Sequence, residues 1–81
     1  MNRQPVESSM LRSVGYDPVE SILELEFEDG HLYQYGGVPE EIYREMMDAD
    51  SKGRYFLTYI QDQYPFARAG EAGQEESSET R

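Results

Sequence analysis

The clearest pattern along the chain is an alternation of apolar and acidic residues in the stretch SILELEF. Leu23, Leu25 and Phe27 alternate there with Glu24 and Glu26. A period of two residues is typical of a β-strand that buries one face and exposes the other to water. We therefore expect the three apolar side chains to face the core and the two glutamates to face solvent.

The segments on either side of this strand predict two more antiparallel strands. Asp29-Gly30 readily supplies the positive φ angles of a tight hairpin, so the following HLYQY should return beside the first strand. Upstream, MLRSVGY precedes a turn at Asp17-Pro18 and should form the remaining strand. The pattern predicts a three-stranded meander from about Met10 to Tyr35.

The second half of the chain predicts two helices. Pro39 suits the first turn of VPEEIYREMMDA, in which Ile42 and Met46 share one face. Ser51 is the expected N-cap of KGRYFLTYIQDQY. The apolar residues of this second helix recur at helical spacing and should face the sheet; they are Phe56, Tyr59, Ile60 and Tyr64.

These elements predict an α+β fold, a three-stranded antiparallel β-meander followed by two helices packed on one face. The expected core consists of six residues, namely Leu23, Leu25, Phe27, Ile42, Phe56 and Ile60. A chain of 81 residues has room for one domain with a small core. Its stability should therefore be sensitive to single changes in that core.

Composition changes abruptly after Phe66, where large apolar residues stop and Gly, Glu and Ser dominate. Such a segment cannot bury enough surface to offset its ordering entropy. We divide the chain into a flexible N-terminus at 1–5, a folded domain at 6–66 and a disordered acidic tail at 67–81. No apolar run reaches the roughly 18 to 20 residues of a membrane span, and the N-terminus lacks the apolar segment of a secretory signal, so a soluble cytoplasmic protein is expected.

Charge restricts the kinds of partner that the chain can bind. Seven Lys and Arg against 17 Asp and Glu give a net charge of −10, which argues against extensive nucleic-acid contact. Any nucleic-acid site must therefore be local. The absence of Cys excludes disulfides, thiol nucleophiles and thiolate metal sites.

A calcium site is not expected, although DADSKG begins like a calcium-binding loop. Lys52 stands where that loop needs an acid or Asn, and Tyr59 stands where a glutamate should close the shell. His31, the one histidine, has no second His or Cys with which to share a metal. We expect no metal and no cofactor.

Catalysis is not expected either. Glu24, Glu26 and Glu28 share a strand face at intervals of roughly 7 Å, a separation at which paired carboxylates can act as acid and base. No apolar residue lies between them to desolvate one carboxyl and raise its pKa. The chain is therefore predicted not to be an enzyme.

The stretch DADSKGRYF contains the best candidate for a binding site. With Ser51 as N-cap, the next backbone amides point outward between Lys52 and Arg54, and helix N-termini with free amides bind anions. Gly53 permits close approach of the backbone to a ligand, or else tight packing of the helix on a neighbour. The alternative to an anion site is pairing of the two basic residues with the aspartates of the same stretch.

Tyr33 and Tyr35 point to the same side of their predicted strand and have two interpretations. Exposed aromatic rings on a sheet stack on unpaired bases, each with about 1 to 3 kcal/mol. The same rings can instead pack against the helices while their hydroxyls reach a partner, and packing is the favoured interpretation.

Taken together, the sequence from about Val6 to Phe66 resembles the KTSC domain, named for its occurrence at the C-terminus of some lysyl-tRNA synthetases and also found as a stand-alone bacterial protein. The resemblance depends on the order and spacing of a set of residues, namely Ser9, Tyr16-Asp17, Leu23, Leu25, Phe27, Gly30, Tyr33, Tyr35, Val38-Pro39, Tyr43, Ala49, Ser51, Gly53, Phe56, Ile60 and Tyr64. It implies no established activity and a nucleic-acid role by association with the synthetase, which is analogy at the level of fold.

The functional prediction is a non-enzymatic binding module with a weak anion site directed at RNA or tRNA. Its predicted site residues are Ser51, Lys52, Gly53 and Arg54, with Tyr33 and Tyr35 beside them. The alternative is a protein-interaction domain that presents an aromatic or sheet-edge surface to another protein, which the acidity would not oppose.

Overall fold

A five-stranded antiparallel sheet and two helices make up the fold. The computed structural model describes residues 3 to 71, with side chains to residue 69. Its elements in chain order are β1 (Arg3–Pro5), β2 (Leu11–Asp17), β3 (Ile22–Phe27), β4 (His31–Gly36), α1 (Glu40–Asp48), α2 (Lys52–Tyr59) and β5 (Phe66–Glu71).

The sheet has two more strands than the sequence predicted. The meander β2-β3-β4 is present as expected, but β1 pairs with β2 and β5 pairs with β4, so the spatial order follows the chain order. Both additions are edge strands in segments that were assigned to the N-terminus and the tail. Residues 72–81 of the predicted tail lie outside the described residues.

The apolar face of β3 forms the core as predicted. Leu23 and Leu25 are fully buried, together with Leu11 and Val14 of β2. Phe27 and Ile42 are only partly buried and pack against this cluster. Because cross-strand neighbours point to the same side of a sheet, the pairs Val14–Leu25 and Leu25–Tyr33 place residues of three strands under the helices.

The prediction that Glu24 and Glu26 face solvent is wrong, because each is only 7% exposed. Side chains from the neighbouring strands cover them on the face opposite the helices. Arg3 of β1 forms an ion pair with Glu24, and Gln34 Nε2 donates to Glu24 Oε1 over 3.2 Å. Ser13 Oγ donates to Glu26 Oε1 over 2.7 Å. Buried carboxylates need such partners, and these lie far away in sequence.

Both helices cover the other face of the sheet. Pro39 precedes the first turn of α1, and Met46 is its buried residue. Tyr43 of α1 stacks on Tyr16 of β2 with ring centroids 4.9 Å apart, and the Tyr16 hydroxyl donates to the Val38 carbonyl over 2.6 Å. This contact joins α1 to the sheet.

Helix α2 buries a narrower face than predicted. The helix ends at Tyr59, and its buried residues are Gly53 and Phe56; beyond its end, Ile60 is buried and Tyr64 is partly buried. Tyr59 is 53% exposed, so its predicted place against the sheet is wrong. At 100° per residue, Tyr59 lies on the flank of the buried stripe, where its ring packs on Tyr55 at a centroid distance of 4.6 Å. Within residues 3 to 71, no helix is long and apolar enough to span a membrane.

Candidate anion-binding site

A groove lies where the N-terminus of α2 meets the segment that leads into β2. It has a volume of about 340 Å³ and is lined by residues 7–10, residues 50–54 and Leu57. The predicted residues Ser51, Lys52, Gly53 and Arg54 all belong to this lining. We call it the anion groove.

The start of α2 has the geometry that the sequence predicted. Ser51 Oγ accepts the backbone N–H of Arg54 over 3.2 Å, and the Ser51 carbonyl accepts the N–H of Tyr55. The N–H groups of Lys52 and Gly53 precede the first helical hydrogen bond, as the leading amides of any helix do. In the described part of the chain neither amide has an acceptor.

The basic residues of the groove do not pair with the nearby aspartates. Among residues 3 to 69, neither Lys52 nor Arg54 forms an ion pair with Asp48 or Asp50. Lys52 Nζ instead donates to the carbonyl of Ala49 at the end of α1 over 3.3 Å, and Arg54 is exposed. The local charge pairing that offered an alternative to an anion site is therefore not formed.

Two acidic residues also line the groove and reduce its positive charge. Glu7 and Asp50 balance the formal charges of Lys52 and Arg54. The groove is therefore close to neutral, and binding of an anion there would depend on the helix amides and on short-range contacts.

Gly53 serves packing rather than an open approach for a ligand. It is buried, and a Cβ at this position would lie 3.1 Å from Met10 Cβ and 3.4 Å from Ser8 Oγ. Ser8 Oγ accepts the backbone N–H groups of Met10 and Leu11 and so fixes this segment against the helix. Sequence reasoning did not select Ser8, although a serine two to three residues before the accepted amides is typical of such turns.

Tyr33 and Tyr35 do not line the anion groove. They line a second cavity, together with Phe27, Phe56 and Phe66. Tyr35 is 4% exposed, so its ring packs in the core, as the favoured interpretation predicted, and is not available for base stacking. Tyr33 is partly buried and contacts Phe66 edge to face at 5.6 Å.

Two packed tyrosines predict a loss of stability at alkaline pH. Burial raises the pKa of the Tyr35 hydroxyl, and the charges of Tyr33 and Asp62 raise it further. Burial also raises the pKa of the Tyr55 hydroxyl, as does its hydrogen bond to Glu45. A pKa raised by folding stabilises the protein below the ordinary tyrosine value of about 10 and stops doing so as pH rises further.

We therefore expect the free energy of unfolding to fall as pH increases above about 10. Urea titrations across that range measure it. Combining Tyr35→Phe with Tyr55→Phe should flatten the decline, whereas an unchanged slope in the double variant would contradict the assignment.

Comparison with known proteins identifies this arrangement of strands and helices. A family model described as the KTSC domain matches residues 7–64. The crystal structure of a KTSC domain protein from Yersinia pestis superimposes with a TM-score of 0.83 at 43% identity, covering 85% of this chain and 97% of that one.

Related sequences occur both as small proteins and within a larger enzyme. An uncharacterised protein of Stutzerimonas stutzeri is 47% identical over 64 residues, which are 79% of this chain and 90% of the relative. A lysine–tRNA ligase of Nostoc is 37% identical over 60 residues, which are 74% of this chain and 11% of the ligase. The similarity to the ligase thus concerns a small part of that protein.

Proposed function

The chain belongs to the KTSC domain family, and we propose that it is a non-enzymatic binding module that holds a phosphate group of RNA in the anion groove. The observation that carries the proposal is the Lys52 amide at the start of α2, which has no acceptor in the described residues, beside two basic side chains that form no ion pair there. Helix amides and cations together recognise phosphate.

Similarity to a lysine–tRNA ligase supports tRNA as the class of RNA. With Tyr35 in the core, the contact is to the backbone of the nucleic acid rather than to stacked bases. Two cations neutralise about one or two phosphates, so log affinity should change with log salt by a slope of only about −0.7 to −1.4. Glu7 and Asp50 at the groove and the net charge of −10 weaken binding further.

A short single-stranded RNA, added at low salt, should shift the backbone amide resonances of Lys52, Gly53 and Arg54 before those of other residues. Arg54→Gln should remove most of these shifts, because it deletes a basic side chain at the groove. The matched control is Arg44→Gln, which also removes one charge from an exposed helical arginine. Arg44 lies on α1 outside the lining of the anion groove and pairs with Glu40 at 3.0 Å.

Equal loss of the shifts in Arg54→Gln and Arg44→Gln would assign them to overall charge rather than to the groove. If saturating RNA moves no amide at residues 51–54 of the parent chain, the anion groove is a helix cap without a ligand. Folding of each variant is checked from the amide resonances of β3, which contributes no residue to the lining of the groove.

Protein interaction is the second candidate function, because β5 is at the sheet edge and pairs with β4 alone. Phe66 at its start is 59% exposed. An edge strand has unpaired backbone groups on its outer side that can accept a strand from a partner. Pull-down from lysate with and without nuclease separates this function from RNA binding, since nuclease treatment removes partners that are retained through RNA.

A further inference from the structure

Five of the seven residues that line the second cavity are aromatic. It lies between β3, β4, β5 and the end of α2, has a volume of about 290 Å³ and is bordered by Gln61 and Asp62. Its five rings belong to Phe27, Tyr33, Tyr35, Phe56 and Phe66. We call it the aromatic cavity.

The rings of the aromatic cavity are turned in several directions. Tyr33 and Phe66 meet at 83°, Phe27 and Tyr33 at 80°, and Tyr35 and Phe56 at 77°. Tyr35 and Phe56 are buried, so the rings that a guest in the cavity can reach are those of Phe27, Tyr33 and Phe66. The face of an aromatic ring carries negative electrostatic potential, which attracts a cation within about 6 Å.

The polar group at the cavity has the matching charge. Asp62 is exposed and lies close to Tyr35. The pKa of the Tyr35 hydroxyl is raised chiefly by burial, then by Tyr33, and also by the Asp62 carboxylate. The basic residue of β5, Arg68, is not part of the lining and instead approaches His31, with Nη2 and Nδ1 2.8 Å apart. Among the described residues, the lining of the cavity thus combines aromatic rings with one carboxylate, and none of its seven residues is basic.

We propose that the aromatic cavity binds a methylated ammonium group through its accessible rings, those of Phe27, Tyr33 and Phe66, and through the Asp62 carboxylate. Methylated ammonium is favoured over a lysine side chain, because a plain ammonium is strongly hydrated and loses more on leaving water. A volume near the lower end of small-molecule pockets, about 300 to 1,000 Å³, fits a head group rather than a large ligand. This site is separate from the anion groove and does not depend on RNA binding.

Choline and its neutral isostere 3,3-dimethyl-1-butanol test the proposal. They have the same shape, and they differ in the positive charge. At constant ionic strength, choline should shift the amide resonances of Tyr33, Asp62 and Phe66 in a saturable way and bind about fivefold to tenfold more tightly than the isostere. Equal affinity of the two compounds would overturn the proposal, since the cavity would then recognise shape and apolarity alone.

Substitutions at Phe66 and Asp62 test whether these two residues contact the bound ammonium group. Phe66→Leu keeps an apolar side chain without the ring and should weaken choline binding about fivefold, while Phe66→Tyr should retain it. Asp62→Asn should weaken binding, whereas the control Glu41→Gln, which removes one carboxylate from the exposed start of α1, should not. Equal effects of Asp62→Asn and Glu41→Gln, or full binding by Phe66→Leu, would overturn the assigned contacts and with them the proposal.

A methylated ammonium group can come from a free metabolite or from a modified side chain. A short peptide with one trimethyl-lysine, compared with the same peptide with unmodified lysine, distinguishes these sources. Binding of the modified peptide with the same shifts as choline supports a side chain as the ligand, and binding of choline alone supports a free molecule. If neither choline nor the modified peptide binds, the proposal is wrong.

Discussion

Replacing Leu25 with alanine should lower the free energy of unfolding by about 2 to 5 kcal/mol. Leu25 is fully buried on the central strand, between Val14 of β2 and Tyr33 of β4. The substitution removes apolar contacts and leaves a cavity that a sheet with strands on both sides cannot close. For a domain of this size such a loss is a large part of the total stability.

Urea denaturation of the parent and of Leu25→Ala measures the effect. Leu57→Ala is the matched control, because it deletes the same atoms from a side chain on α2 that is 46% exposed. Its effect should stay within about 0.5 kcal/mol. A similar loss in both variants would mean that the core is not organised around β3.

Local patterns along the sequence predicted the centre of the fold. The alternation in SILELEF placed Leu23 and Leu25 in the core, and Ser51 was identified as the cap of α2. Both features depend only on residues that are close together in the sequence, so they can be recognised without knowing the fold. Burial of Glu24 and Glu26 could not be seen in this way, because it depends on Arg3 and other partners from different strands.

The edge strands were missed because their own residues do not favour strands. Pro5 lies in β1, and the residues after Phe66 in β5 are mainly alanine and glycine. Proline is tolerated at an edge, and small residues give little packing of their own. Pairing with β2 makes β1 a strand, and pairing with β4 makes β5 a strand. The residue pattern within each edge segment does not show that this pairing occurs.

The candidate site could be predicted only in part, because one part of it depends on neighbouring residues and the other on a strand that is distant in sequence. Spacing within one helix placed Ser51, Lys52 and Arg54 together at the anion groove. The position of Tyr33 and Tyr35 in a separate cavity depends on Phe66 of β5, a strand that the sequence did not predict. The association of the tyrosines with a basic site therefore could not be tested before the fold was known.

A chain that ends at Pro65 should be less stable than the full chain by about 3 kcal/mol or more. Ending there removes all of β5, and with it the backbone pairing of Tyr33, Gln34 and Tyr35 to this strand. It also removes the contacts of Phe66 with Tyr33 at 5.6 Å and with Tyr35 at 5.5 Å. Each aromatic pair contributes about 0.5 to 1.5 kcal/mol and each net hydrogen bond a similar amount.

The matched control is a chain that ends at Glu71, which keeps β5 complete and omits residues 72–81. We expect its urea midpoint to stay within error of the full chain, because residues 72–81 contain no large apolar residue that could anchor them to the fold. The chain that ends at Pro65 should also self-associate more readily, because β4 becomes an exposed edge beside apolar rings. Equal stability of the two shortened chains would show that β5 contributes no packing energy. The aromatic cavity would then lack the support of that strand, and the residues from 67 onward would belong to the tail, as their composition alone predicted.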